Sequence, residues 1–344
     1  MTGERTAHTG PSTGRRVRTI AGWVIAAACL AWLFHDVHLG RMAGDVARIQ
    51  WRWVAAAVVL DIVSYCIQGL RWALLLKPVG RVSPASAIGA IYVGLFTNEI
   101  IPLRVGEVVR TYLMSRRLAA PFTAVLPSLV IERFFDGVWL AAGIGLTALF
   151  VPLPRSVADA GDLLGIVVLI AMVALAAIVI THASRISRAP ATAPVDGNPM
   201  MRFTGRFAAG IAAIGLTPAF WSSFALSSLL LISQIFSFWF VMISYGIRIP
   251  LLAGAAVLII EHLGTTVPNA PSNLGTYQFF TVLGLSLFGI DKTTATGFSM
   301  VVFIALTLPL WIIGLAALAR SGLTLRAIRN EIALLGRRHA PEKG

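Results

Sequence analysis

Several apolar runs in this chain reach the length, about 20 residues, at which a helix crosses a lipid bilayer. In hydrocarbon every backbone N–H and C=O must find its partner inside the segment, so such a run folds as a helix. The short alternating segments of a membrane β-barrel are missing. Only 12% of the 344 residues are charged, where a soluble domain carries about 25%, and mean hydropathy is +0.81. The class is an all-α polytopic membrane protein.

The net charge is +13. The basic residues gather in tails and short loops, which fits the positive-inside bias and attraction to anionic lipid. No aromatic-plus-basic motif accompanies them, so nucleic acid is not an expected partner. Cys29 and Cys66 lie in apolar helices and read as core residues, not as a disulfide.

Against that background one stretch is out of place. Thr97-Asn98-Glu99-Ile100-Ile101-Pro102-Leu103-Arg104-Val105-Gly106-Glu107-Val108-Val109-Arg110 sets four charges, an amide, a proline and a glycine between apolar runs. Charges at membrane depth are costly and face protein or water. A broken backbone is tolerated there where it is buried in protein or lines a cavity.

The spans follow in order. Residues 1–16 read as a disordered cytoplasmic tail, and Arg15, Arg16 and Arg18 precede a first, uncleaved helix over Ile20–Phe34. Residues 35–50 form an outer loop. The next helix, Trp51–Leu76, carries Asp61 and Gln68 seven residues apart on one face; Arg71, Lys77 and Arg81 place its end inside. Residues 83–117 are too charged to cross and read as a re-entrant helical hairpin. A helix over Pro121–Phe150 puts Glu132 and Asp136 on one face at i,i+4, with Arg133 able to pair with Asp136. After an outer loop, Val151–Asp162, a helix returns over Leu163–Thr181. Residues 182–206 form the main cytoplasmic loop between the halves, 17–181 and 207–320. A surface helix at 207–216, a span over Ala219–Tyr245, a broken region over 250–290 containing Glu261-His262, and a last span over Thr293–Ala319 complete the domain, 17–320. Residues 321–344 form a basic amphipathic cytoplasmic tail. The expected architecture has about six full spans and two re-entrant hairpins, about eight hydrophobic segments in all.

Placing Pro102 against Pro271 aligns Thr97 with Thr266 and Gly106 with Gly275. Counting spans brings the second hairpin in from the face opposite the first. Two hairpins of opposite orientation make an inverted repeat, which in transporters meets near the midplane and forms the substrate site. The alternative is that Pro102, Pro268 and Pro271 merely end helices.

Asn98-Glu99-x-x-Pro102-x-Arg104-x-Gly106-Glu107-x-x-Arg110, then Glu132-Arg133-x-x-Asp136, then Pro268-x-x-Pro271-x-x-x-Gly275 resemble the transmembrane region of lysylphosphatidylglycerol synthases, over about residues 17–320. The resemblance implies a flippase-like protein of the cell membrane that moves a phospholipid or lipid-linked headgroup between leaflets, with both termini cytoplasmic. In the full synthases a separate soluble domain transfers the amino acid. Only a short basic tail follows here, so aminoacyl transfer is not expected. Single-domain members also occur beside glycosyltransferase pathways, so a partner biosynthetic enzyme fits the resemblance.

Such a protein must shelter a polar, anionic headgroup or lipid-linked phosphate. Arg104 and Arg110 offer bidentate guanidinium forks for phosphate. Glu99 and Glu107 either balance them or take a cationic headgroup, with Arg104–Glu107 and Glu107–Arg110 available as purely structural i,i+3 pairs. Asn98, Asn269, Asn273 and Gln278 supply neutral hydrogen bonds, and Gly106 and Gly275 allow close backbone approach. Glu132, Arg133 and Asp136 complete the charged set, and Glu261-His262 forms a candidate proton-coupling pair. Arg104 and Glu107 are expected to face Asn269 and Asn273. His35-Asp36-x-His38 has a metal-like spacing without a further ligand, so no metal is expected. No cofactor motif is present either. Two rival readings remain, a membrane-embedded lipid-modifying transferase and a scaffold for a lipid or glycan biosynthesis enzyme. No phosphate loop, zinc motif or nucleophile elbow marks an enzyme.

Overall fold

A computed structural model describes residues 13–101, 105–150, 155–186, 199–215, 217–266 and 270–322. Twelve helices occupy them: α1 (Thr13–Phe34), α2 (Leu39–Ala47), α3 (Trp51–Leu75), α4 (Pro84–Ile100), α5 (Gly106–Arg117), α6 (Phe122–Phe150), α7 (Arg155–Ile186), α8 (Pro199–Ile214), α9 (Pro218–Ser244), α10 (Leu251–Thr265), α11 (Thr276–Ser286) and α12 (Lys292–Ser321). No strand occurs among the described residues. Four helices, α3, α7, α9 and α12, are long and apolar enough to cross a membrane, and α1 with α2 makes a fifth if that pair, bent by 87°, is one broken span. The expected span α6 has 29 residues but is not in that group.

Local chemistry explains where several helices begin. Ser83 and Thr217 cap α4 and α9, each followed by proline in the first turn, and their hydroxyls accept from the N–H of Ser86 and Phe220. Asp291 caps α12 through the N–H of Thr294. Between α1 and α2 the chain turns at Asp36, at φ 64°. The Lys292 ammonium donates to Trp32 O (2.7 Å) and His35 O (2.8 Å) and lies over the Trp32 ring. A cation there satisfies the open carbonyls at the negative end of α1.

The packing is organised around α3 and α9, the most extensive helix pair. Gln50 N donates to Ser244 O, Ser237 Oγ to Ala57 O, and Ser223 Oγ to Arg71 O. The end of one helix therefore meets the start of the other, and the pair is antiparallel. The hairpin α4–α5 leaves from the end of α3, and α10–α11 leaves from the end of α9, so the two start at opposite ends of the pair. Around them α4 packs on α12 and α10 on α6. Buried apolar side chains fill the α3–α9–α12 interface, with Phe238 edge-on to Phe298, and a second core surrounds Trp72 between α3, α4, α5 and α6. By contrast, the α7 window Gly161–Ile178 is unburied by protein. Its Leu163, Ile166, Leu169 and Ile170 are exposed, as suits a helix whose solvent is lipid.

Several boundaries differ from the expected ones. Helix covers Thr13–Arg16 of the expected disordered tail, and the expected outer loop 35–50 contains α2. The expected outer loop 151–162 is helical from Arg155, and the expected cytoplasmic loop 182–206 overlaps α7, which runs to Ile186, and α8, which starts at Pro199. Polar composition suggested loops there, but a helix interior tolerates polar side chains that face water. Residues 1–12 and the tail 323–344 lie outside the described residues, as do Pro102, Arg104, Pro268 and Asn269.

Candidate functional site

The densest polar chemistry lies where α3, α5, α6 and α9 meet. Glu132 and Asp136 project from one face of α6, and Arg71 of α3 bridges them: Nη2 to Glu132 Oε1 at 2.7 Å and Nη1 to Asp136 Oδ1 at 2.6 Å. Ser227 of α9 accepts from Arg71 Nη1 at 2.8 Å. Gln68, one turn back on α3, donates to Glu132 Oε1 at 3.0 Å. Arg110 of α5 donates to the same oxygen at 3.3 Å. Its other nitrogen lies 2.9 Å from Glu132 Oε2, an ion pair whose angle falls short of a hydrogen bond. The Arg110 guanidinium also sits 4.9 Å above the Trp72 ring, a cation–π contact. Trp72 is anchored by Ser128 Oγ at 3.0 Å. Arg133 pairs with Asp136 at 3.2 Å and, across to α5, with Glu107.

Three guanidiniums thus meet three carboxylates in one neutral network. Its exposure is graded. The side chains of Arg71 and Glu132 are 0% exposed, whereas that of Arg133 is 47% exposed. Charges this deep are retained only when each is paired and hydrogen-bonded. The edge at Arg133, Glu107 and Asp136 is the exposed side of the network.

The local pairing expected for Glu107 is not the one formed. Glu107 does not pair with Arg110; it joins Arg133, and Arg110 turns to Glu132. Arg104, and with it the expected Arg104–Glu107 pair, lies outside the described residues. Arg71, read from sequence as a charge marking the inner end of its helix, is instead the fully buried hub. The signal was present in the Asp61 and Gln68 stripe, since Arg71 is i,i+3 from Gln68, but an apolar helix end offers an arginine the interface equally well.

The two breaks meet. Ser272 Oγ donates to Glu99 O at 3.0 Å. On the first side, Asn98 Oδ1 accepts from Gly106 N at 2.7 Å, closing the start of α5. Gly106 there approaches Gly94 so closely that a Cβ would lie 1.9 Å from Gly94 O. Trp311 Nε1 reaches Glu99 Oε2 at 3.4 Å. On the second side, Pro271–Asn273 forms one tight turn with Ser272 and Asn273 at φ 59° and 50°. Gly275 at φ 84° lets the chain pass Ala26 O of α1, and its N–H donates to Gln278 Oε1 at 2.7 Å. Both glycines serve close approach, to different neighbours.

Glu261 and His262 form a separate pair on α10. Glu261 Oε2 lies 2.7 Å from His262 Nδ1, and Thr265 donates to Oε1 at 3.2 Å. The structure therefore joins Glu107, Arg110, Glu132, Arg133 and Asp136 directly, brings Glu99 to the second break, and leaves Glu261 and His262 apart from the arginine network. Asn273 and Gln278 organise the second break itself, with Asn273 O accepting from Thr276. No group of three or more metal-binding side chains occurs among the described residues.

A family model described as the lysylphosphatidylglycerol synthase TM region matches residues 19–314. The glycosyltransferase AglD of Haloferax volcanii is 30% identical over 142 residues, which cover 40% of this chain and 23% of that protein. The chain thus matches under a quarter of that relative's length. No solved structure matches the chain.

Proposed function

Because the chain belongs to the lysylphosphatidylglycerol synthase transmembrane-region family, and is thereby a multi-pass membrane protein, we propose that it moves a phospholipid or lipid-linked headgroup between leaflets. The observation that carries this reading is the graded network. Three buried or half-buried arginines are held by carboxylates, and one edge is open at Arg133. An apolar structural core has no use for so many ions. A headgroup phosphate arriving at Arg133 replaces the Glu107 or Asp136 carboxylate with an anion of similar fork geometry. The binding set is Asn98, Glu99, Arg104, Glu107, Arg110, Glu132, Arg133, Asp136, Glu261, His262, Asn269, Asn273 and Gln278, to which Arg71 and Gln68 are added.

The architecture supports the same reading. Exchanging α3 with α9, α4 with α10, α5 with α11 and α6 with α12 carries the packed pairs onto one another: α4–α12 becomes α10–α6, and α4–α5 becomes α10–α11. With α3 and α9 antiparallel, that exchange is an inverted repeat. The two hairpins are then re-entrant from opposite faces of the cell membrane, six helices span it, and both termini are cytoplasmic. The glycosyltransferase name of the matched relative favours a second cargo class, a lipid-linked sugar handled beside a biosynthetic enzyme.

The test is lipid crossing in vesicles of phosphatidylglycerol and phosphatidylethanolamine holding the purified chain, followed with fluorescently labelled phosphatidylglycerol. Arg133→Ala is expected to slow crossing about tenfold while costing under about 1 kcal/mol of stability, since the residue is half exposed. Equal crossing in wild type and variant, or none in wild type above protein-free vesicles, removes the reading's support.

A further inference from the structure

One buried acid belongs to no ion pair. Asp61 sits in the eleventh position of α3, 5% exposed, and its carboxylate has no hydrogen-bond or ion-pair partner among the described residues. It lies at the deep end of a stripe on α3. Trp72 and Gln68 face the arginine network, Tyr65 follows, and Asp61 closes the series at helical spacing. From Arg71 to Asp61 the helix rises about 15 Å, which places Asp61 about halfway into a bilayer core.

Among the described residues, the groups within electrostatic reach of Asp61 are polar and include no cation. Tyr65 stands one turn along α3, Tyr92 comes from α4 and Tyr277 from α11, and all three lie within electrostatic reach of Asp61. Glu99 of α4 reaches Tyr65, and Cys66 reaches Tyr92. The Tyr92 ring packs edge-on to Tyr65 at 5.7 Å, and its hydroxyl, on a residue 2% exposed, has no hydrogen-bond partner. Glu261 of α10 reaches the same group through Tyr277. Helix α9 contains no titratable residue, and those of α12 are confined to its two ends, Lys292 and Arg320. The α6 charges are spent in the network. A buried carboxylate at membrane depth, with acids and phenols as its charged or polar neighbours among the described residues, binds a proton in preference to remaining charged.

We propose that Asp61 is a proton-binding site that holds its proton while the polar stripe is closed and releases it to water when a hydrated headgroup enters, coupling lipid passage to protonation. The coupling rests on the lipid-moving reading; proton binding at Asp61 stands without it. The balance is one proton taken from bulk water to make the neutral acid and returned when the carboxylate is rehydrated.

Infrared difference spectra of the full chain in vesicles, taken between acidic and alkaline buffer, test the site. A protonated-carboxyl stretch is expected to titrate in wild type, to vanish in Asp61→Asn, and to persist at a shifted frequency in Asp61→Glu. The glutamate variant assigns the band even if the asparagine variant fails to fold. Crossing of labelled phosphatidylglycerol is expected to vary with pH in wild type and to become pH-independent in Asp61→Asn. A band unchanged by either substitution, no titrating band at all, or wild-type crossing at one rate across the pH range overturns the proposal. Absence of crossing in wild type sinks the lipid-moving reading instead, and the infrared result then decides the proton site alone.

Discussion

Replacing Glu132 with alanine is expected to cost about 3–5 kcal/mol of stability, the range for leaving a buried charge without its partner. The reason is the number of donors that converge on it. Gln68, Arg71 and Arg110 all point at this carboxylate, and Arg71 and Arg110 are themselves buried. Without Glu132, Arg71 keeps Asp136, but Arg110 keeps the Trp72 ring face and no carboxylate among the described residues. Thermal unfolding in detergent, read by tryptophan fluorescence, measures the loss; Trp72 lies beside the site. Adding Arg110→Leu to Glu132→Ala is expected to recover part of it, because the pair then leaves together and apolar volume replaces it. If Glu132→Ala melts within about 1 kcal/mol of wild type, the network is not the buried, mutually dependent unit described here.

The second large effect is expected at Gly106. Its first side-chain atom would lie 1.9 Å from Gly94 O and 2.7 Å from Asn98 Oδ1. The obstacle is backbone of α4, which cannot rotate away as a side chain can. Gly106→Ala therefore forces α5 off α4 at a cost of at least about 1–3 kcal/mol, and disturbs the Asn98 contact that closes the start of α5. Because α5 also carries Glu107 and Arg110, the displacement reaches the network. Gly89→Ala on the same helix α4 is the control, since nothing lies within 4 Å of its added atom. That change is expected to be neutral or to stabilise by about 0.5–1 kcal/mol through helix propensity. Equal unfolding temperatures for the two variants would contradict the close crossing.

Much of the fold was legible because its signals are local. A run of apolar residues and a proline or glycine break each act within a few residues of themselves. The i,i+4 spacing of Glu132 and Asp136 likewise put them on one face whatever packed there. The breaks around 101–105 and 266–275 fell where the sequence placed them, between α4 and α5 and between α10 and α11. Helix ends were less legible. The helical stretches at Arg155, Ile186 and Pro199 lie where composition is polar, and polar residues outside the membrane are compatible with helix or loop alike.

Pairing between helices was beyond local reading. Glu107 has Arg110 within reach along its own helix, yet a better partner, Arg133, arrives from α6. Arg71 could as well have ended its helix at an interface; the approach of α6 and α9 makes it the buried centre of the site. From residue spacing alone the chain determines a helical membrane domain with two polar breaks, the first of them charged. Tertiary packing decides which charges become partners, because a buried ion takes whichever counter-ion the crossing of two helices delivers to it, at a sequence distance that no local rule spans.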